Sequence, residues 1–191
     1  MNNILEILKN EHNSFAKTIS KINTLELKKI EKISKVLIKK INLNKNIFII
    51  GNGGSAAQSQ HLSAELQVKY KKVRKPIPAI SLTTDTSTIT ACANDFEFKF
   101  IFSRQLEALG KSGDVLIAFS TSGKSKNIIE AIKMAKRKKI FTFLFTGNSK
   151  LNYNSDYLFS INSPSTDVPR IQEIHMFYIH LICEVLDKEI K

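Results

Sequence analysis

The stretch VLIAFSTSGKSKNIIEAIKMAKRKKIFTFLF, residues 115–145, decides the fold. It opens with Val115 to Phe119, apolar at every position, and closes with a second apolar run, Ile140 to Phe145. Between them a turn of small polar residues leads into a segment that reads as a helix over about 125–137. Strands that are apolar throughout must be covered on both faces, which is the condition of strands inside a parallel sheet. A strand, a crossover helix and a second strand is the unit from which such sheets are built.

The same alternation continues in both directions. Upstream, a strand at 47–50 precedes a helix over about 55–70, and a strand near 77–81 precedes helical stretches over 86–109. Downstream, a short strand at 157–161 leads to a last helix over about 169–188. The pattern predicts an α/β sandwich, doubly wound around a mostly parallel sheet. Ahead of it, Ile4, Leu5, Leu8, Phe15, Ile19 and Ile22, then Leu27, Ile30, Ile33, Leu37 and Ile41, recur at threes, fours and sevens. Two amphipathic helices over about 1–42 follow, and their apolar faces must pack on the core, on each other or on another subunit. No repeat, low-complexity tract or linker interrupts the chain, so a single domain over 1–191 is expected.

Composition limits the function. With 42% hydrophobic and 24% charged residues the 191-residue chain is an ordinary soluble globular protein. Its formal charge of +12 raises the question of nucleic acid, and Lys136-Arg137-Lys138-Lys139 forms a basic run. The lysines are scattered along every segment, however, and this run closes a helix, where cations oppose the negative end of the dipole. Solvated surface charge is the reading, with no nucleic-acid partner; the field still favours small anionic substrates. Cys92 and Cys183 are too few for a disulfide framework or a zinc knuckle. The charged N-terminus lacks the apolar core of a signal peptide, and no apolar run reaches membrane-span length. A cytoplasmic protein without a membrane partner is expected.

Two turns carry the candidate chemistry. Gly51-Asn52-Gly53-Gly54-Ser55-Ala56 satisfies the relaxed dinucleotide pattern after a strand, but the acid that would hold a ribose is missing; Asp85 lies beyond the second strand. Ser120-Thr121-Ser122-Gly123-Lys124-Ser125 ends like a phosphate loop, yet Ala118 stands where that motif needs its first glycine, and the loop is too short for a triphosphate. What remains is four hydroxyls, from Ser120, Thr121, Ser122 and Ser125, around backbone N–H groups at a helix start, a site for one phosphate monoester. A helix cap alone would need a single hydroxyl from Ser122 or Ser125.

His61 and Glu65 are spaced i, i+4, so they share a helix face, either as a surface contact or around an ion. The last helix is apolar on nearly every side yet contains Gln172, His175 and His180, and buried polar groups need partners. At about 100° per residue, His180 lies roughly 80° from Gln172 around the axis and His175 about 60° the other way. Helical geometry therefore leaves open which histidine joins Gln172, and a hydrogen-bonded core histidine is the alternative for each. Either pair with His61 and Glu65 would give four nitrogen and oxygen donors suited to zinc or a similar divalent ion.

Four motifs in order now become recognisable: GNGGSAAxxxHxxAEL at 51–66, ANDFxFxxxFxRQ at 93–105, GDVLIAFSTSGKSxN at 113–127 and PRIQEIHxxxIH at 169–180. The chain resembles the bacterial phosphoheptose isomerases of the sugar isomerase (SIS) fold, a flavodoxin-like architecture, from its N-terminal helices to its last helix. The resemblance implies an aldose-ketose isomerase converting D-sedoheptulose 7-phosphate to D-glycero-D-manno-heptose 7-phosphate, on the way to nucleotide-activated heptose for lipopolysaccharide or capsule. It implies one zinc per subunit held by His61, Glu65, Gln172 and His180, with His175 structural. It places the phosphate in Ser120, Thr121, Ser122 and Ser125, the sugar beside Asn52, Gly53, Gly54 and Ser55, and the sugar hydroxyls on Asn94 and Asp95. It implies a homotetramer with sites at subunit interfaces, a use for the N-terminal helices. Lys124 departs from the small residue or asparagine often found in the family, in the direction of stronger anion binding.

Isomerisation through an enediol needs a base near C1 and C2, a group that handles the hydroxyl proton and an electrophile for the oxyanion. Glu65 is expected as the base, His180 as its acid/base partner and the metal as the Lewis acid. The rival from another class is a non-catalytic SIS regulator that binds a replication-initiator protein; a complete set of four donors has no evident use there.

Overall fold

The computed structural model describes residues 3–148 and 155–190. The five strands, β1 (Ile47–Ile50), β2 (Ala79–Ser81), β3 (Val115–Ser120), β4 (Phe141–Thr146) and β5 (Leu158–Asn162), form one sheet in the order β2-β1-β3-β4-β5. Every pairing is parallel, with Ile47 opposite both Ala79 and Val115, Val115 opposite Phe141, and Thr142 opposite Leu158. This is the flavodoxin-like doubly wound order, whose direction reverses between β1 and β3. All five strand C-terminal ends therefore lie on one edge, and the reversal falls between the turns after β1 and β3, where ligands bind in sheets of this order.

The sheet is covered on both faces, as its apolar strands require. Ile47, Ile49, Val115, Ile117, Phe119, Phe143 and Phe145 face one helical layer, and the intervening Phe48, Ile50, Leu116, Ala118 and Leu144 face the other. The first layer consists of α2 (Thr24–Asn42), α3 (Gly54–Gln67) and α7 (Val168–Glu189), contributing Ile30, Ile33, Leu37, Leu62, Leu66, Ile174, Tyr178, Ile182 and Leu186. The second consists of α4 (Thr86–Asp95), α5 (Ser103–Leu109) and α6 (Lys126–Arg137) with a 3-10 turn at Phe98–Phe100, contributing Cys92, Leu106, Ile128, Ala131 and Ala135. Each fully buried Ile, Leu or Phe contributes about 1.5–3 kcal/mol of burial. The basic run behaves as read: Lys136 and Arg137 occupy the last turn of α6.

The two N-terminal helices are α1 (Ile4–Ile19) and α2. Asn23 and Glu26 form a capping box that starts α2 sharply, and α2 joins the core against α7. The first turns of α1 are different: Ile4, Leu5, Ile7 and Leu8 are 73%, 57%, 47% and 60% exposed. Among the described residues no helix is long and apolar enough to cross a membrane, and Cys92 and Cys183 are buried free thiols.

Candidate active site

The turn after β1 depends on glycine. Gly53 has φ of +52°, in the left-handed region that favours glycine. At Gly54, the first residue of α3, an added Cβ would stand 2.5 Å from the side-chain nitrogen of Gln172. The absence of a side chain at Gly54 is what lets the Gln172 amide reach the start of α3. On the far side, Gln58 donates to the Gln172 carbonyl at 2.6 Å, so α3 and this turn of α7 are held together by backbone and side chain alike.

α3 lacks an apolar stripe, because its inward side is built largely of small polar residues. Ser59 donates to the Ser55 carbonyl at 2.8 Å and Ser63 to the Ala79 carbonyl at 2.9 Å while accepting from Gln67 Nε2 at 2.9 Å, which satisfies them and lets the helix approach the strands closely. One and two turns beyond Gln58 the same helix presents His61 and Glu65, with Glu65 Oε1 at 3.6 Å from His61 Nε2. α7 brings His180 to them across 119 residues of sequence, placing His61 Nε2 and His180 Nε2 3.1 Å apart. The His180 ring also stacks on Tyr70, at 5.7 Å between centroids and 25° between planes. Burial pushes the His180 imidazole below its ordinary pKa; His61 and Lys71 act in the same direction, and Glu65 opposes them. The shift favours the neutral imidazole, the form that accepts a proton or ligates a metal.

These donors fit zinc in kind. The separations of 3.1 Å and 3.6 Å bracket the edge of about 3.3 Å expected between donors on a tetrahedral zinc with bonds of about 2.0–2.1 Å. Among the described residues no three His, Cys, Asp or Glu side chains are drawn together as a complete metal set. The cluster is an imidazole pair with a neighbouring carboxylate, and the Gln172 amide stands beside Gly54 at the start of the same helix. His175 stands apart. It is fully buried, and its Nε2 donates to the Thr146 carbonyl at 3.2 Å. Burial pushes its pKa down to about 4, against the opposing pull of that bond.

The turn after β3 forms the other half. Gly123 N–H donates to the Ser120 carbonyl at 3.1 Å and Lys124 N–H to Ser122 Oγ at 3.1 Å, so Ser122 braces the turn. Ser125 is the N-cap of α6 by position, yet its side chain makes no capping bond; its hydroxyl faces Ser120 Oγ at 3.3 Å. The capping role that a lone serine would have played is thus not taken up, and two hydroxyls remain directed at each other beside a helix N-terminus, where an anion is favoured.

Asn127 joins the two turns and was not singled out from the sequence. It is 2% exposed, and its amide pairs reciprocally with Asn52: Asn52 Nδ2 donates to Asn127 Oδ1 at 2.9 Å, and Asn127 Nδ2 to Asn52 Oδ1 at 2.7 Å. A buried asparagine in the first turn of an otherwise apolar helix face was the available signal. Asn94 and Asp95 lie exposed at the end of α4, where Asn94 Nδ2 donates to Asp95 Oδ1 at 2.9 Å. Asp95 lines a pocket of about 490 Å³ with Cys92, Arg104 and Gln105. The structure thus brings His61, Glu65 and His180 together between α3 and α7, places Gln172 beside Gly54 and Gln58 at the start of α3, and links Asn52 to the first turn of α6.

A family model for the SIS domain matches residues 12–147. The phosphoheptose isomerase of Campylobacter concisus is 44% identical over 182 residues, covering 95% of this chain and 96% of that protein. That of Aliarcobacter butzleri is 42% identical over 173 residues, covering 91% and 92%. The solved phosphoheptose isomerase from Neisseria gonorrhoeae matches with a TM-score of 0.90 at 32% identity, covering 97% of this chain and all of that one. The fold, the strand-end turns and these likenesses over nearly the whole length agree: the chain belongs to the SIS-domain family and, within it, to the phosphoheptose isomerases.

Proposed function

We propose that this enzyme interconverts D-sedoheptulose 7-phosphate and D-glycero-D-manno-heptose 7-phosphate as an aldose-ketose isomerase, feeding nucleotide-activated heptose synthesis for lipopolysaccharide or capsule. The observation that carries the reading is the meeting of His61, Glu65 and His180 from α3 and α7, at 3.1 Å and 3.6 Å. It supplies acid/base groups in a fold whose β3 turn offers hydroxyls and a helix N-terminus to a phosphate. The regulator reading gives these groups no task, and the relatives compared above are named as isomerases.

Ser120, Thr121, Ser122 and Ser125 hold the phosphate, and Lys124 adds positive charge at the same turn. Asn52, Gly53, Gly54 and Ser55 border the sugar, whose chain runs along the strand ends toward α3 and α7. Glu65 removes the proton from C1 of the ketose, and the electron pair forms the C1–C2 double bond of an enediol. His180 moves the hydroxyl proton between O1 and O2, and Glu65 returns its proton to C2 of the aldose. One Glu65 oxygen faces His61, which leaves the second for the proton. Zinc, held by His61, Glu65, Gln172 and His180, would supply Lewis-acid polarisation of the two reacting oxygens.

The proposal extends to a homotetramer acting in the cytoplasm. The exposed Ile4, Leu5, Ile7 and Leu8 of α1 support assembly, since an apolar row of this kind marks an interface. Asn94 and Asp95, outside the α3–α7 cluster, would then bind sugar hydroxyls in the assembled enzyme. The test is Glu65→Gln. Turnover of sedoheptulose 7-phosphate is expected to vanish while calorimetric binding of the sugar phosphate persists; turnover at the wild-type rate would overturn the assignment of the base.

A further inference from the structure

The segment KYKKVRK, residues 69–75, follows α3 and contains a charge that neither the phosphate site nor the reacting cluster uses. The Arg74 side chain is 2% exposed and its partner Asp187 is 3% exposed. Arg74 Nη2 donates to the Glu65 carbonyl at 2.8 Å, Nη1 to the Leu66 carbonyl at 2.9 Å, and Nε to Asp187 Oδ1 at 2.9 Å. Asp187 Oδ2 accepts from the backbone N–H of Lys71 and Lys72 at 2.8 Å and 2.9 Å. Burial raises the Asp187 carboxyl, yet the two backbone N–H groups and Arg74 outweigh it, and its pKa ends below the usual range. One guanidinium therefore takes two C-terminal carbonyls of α3, that of Glu65 and that of Leu66, which also accepts from Ile77 N–H at 3.0 Å, and binds α7 with the same fork.

We propose that Arg74 is a positioning residue for isomerisation, setting Glu65 on α3 against His180 on α7. The inference rests on the roles assigned to Glu65 and His180 above. Two further contacts point the same way. Lys71 Nζ pairs with Glu184 at 2.7 Å, and Tyr70 stacks on the His180 ring, so one short loop grips α7 at positions 180, 184 and 187. Those positions are spaced i, i+4, i+7 and share one helix face, the face that carries His180. A buried ion pair is an indifferent device for stability, because apolar residues of the same volume do as well or better. What apolar packing cannot supply is a rigid fork with simultaneous directional bonds to the backbone of Glu65 and to α7. Lysine, a single rotatable point charge, cannot reproduce it either.

The test compares Arg74→Lys and Asp187→Asn with wild type and with Ile140→Ala, a cavity variant on the opposite face of the sheet, in steady-state turnover of sedoheptulose 7-phosphate by the full-length protein. Positioning predicts that kcat falls about 10–100-fold in both loop-clamp variants while KM stays within about twofold. Ile140→Ala, chosen for a comparable loss of melting temperature, keeps the wild-type kcat. Asp187→Asn is nearly isosteric and carries the comparison if Arg74→Lys fails to fold. A kcat for Asp187→Asn within about twofold of wild type overturns the inference, as does a loss of kcat shared equally by Ile140→Ala. Glu65→Gln in the same series separates the two claims. If it is inactive while the clamp variants are normal, positioning alone fails; if it turns over normally, the assignment of the reacting residues fails first.

Discussion

His175 and His180 lie five residues apart on α7 and meet opposite surroundings. From the sequence each was an equal geometric partner for Gln172; the difference lies in which neighbours the fold brings to them. His180 meets His61 and Tyr70, whereas His175 is sealed in the core with its Nε2 on the Thr146 carbonyl. The cost of that burial is measurable. With its pKa lowered from 6.5 to about 4, His175 takes up a proton on unfolding, so its contribution is intact above pH 6.5 and is lost as pH falls toward 4. Between pH 7 and pH 5 the loss amounts to about 2 kcal/mol from this group. In urea titrations His175→Gln should lose less stability over that interval than wild type, and an identical loss in both proteins would refute the assignment. Ser125→Ala makes a second residue-scale prediction. Because the hydroxyl caps nothing, the melting temperature should hold, while KM for the sugar phosphate rises about tenfold or more through loss of a bond to a charged group.

At the scale of elements, the apolar runs around β1, β3 and β4 were legible because parallel strands buried on both faces leave no alternation to misread. The helix after β1 could be placed from its glycine turn, but its boundary and its packing could not. It ends at Gln67, three residues short of the expected 70, where Arg74 takes the Glu65 and Leu66 carbonyls. The helical stretches expected over 86–109 are α4, a 3-10 turn and α5, though the residue pattern does not announce where one ends and the next begins. Strand order could not be read from the apolar runs, since it is chosen by which crossovers cover which face; it came only with the resemblance to a flavodoxin-like architecture. Asn127 went unread because its partner Asn52 is 75 residues away. That pair makes α6 and the β1 turn one unit. Asn127→Ala should therefore weaken sugar-phosphate binding and lower stability by about 1–3 kcal/mol, the cost of leaving a buried partner unpaired. Calorimetric titration and urea unfolding check both parts.

At the scale of the whole molecule, the exposed apolar residues of α1 stand out. α1 holds to α7 through Arg170, which bonds to the Glu11 carbonyl at 2.9 Å and to its carboxylate at 3.1 Å, while its first turns turn apolar residues outward. If α1 forms the interface of the proposed tetramer, replacing Leu5 and Leu8 together by Glu should give smaller species than wild type in light scattering, with isomerase activity falling in step; an unchanged size would move the interface elsewhere. The central claim is that a zinc-dependent isomerisation takes place where α3 meets α7. Its most direct test is conversion of sedoheptulose 7-phosphate to the aldose by purified protein, assayed as prepared, after chelation, and after zinc is returned. The account predicts activity that disappears on chelation and comes back with zinc. Unchanged turnover after complete stripping, or none at any stage in folded protein, would contradict it.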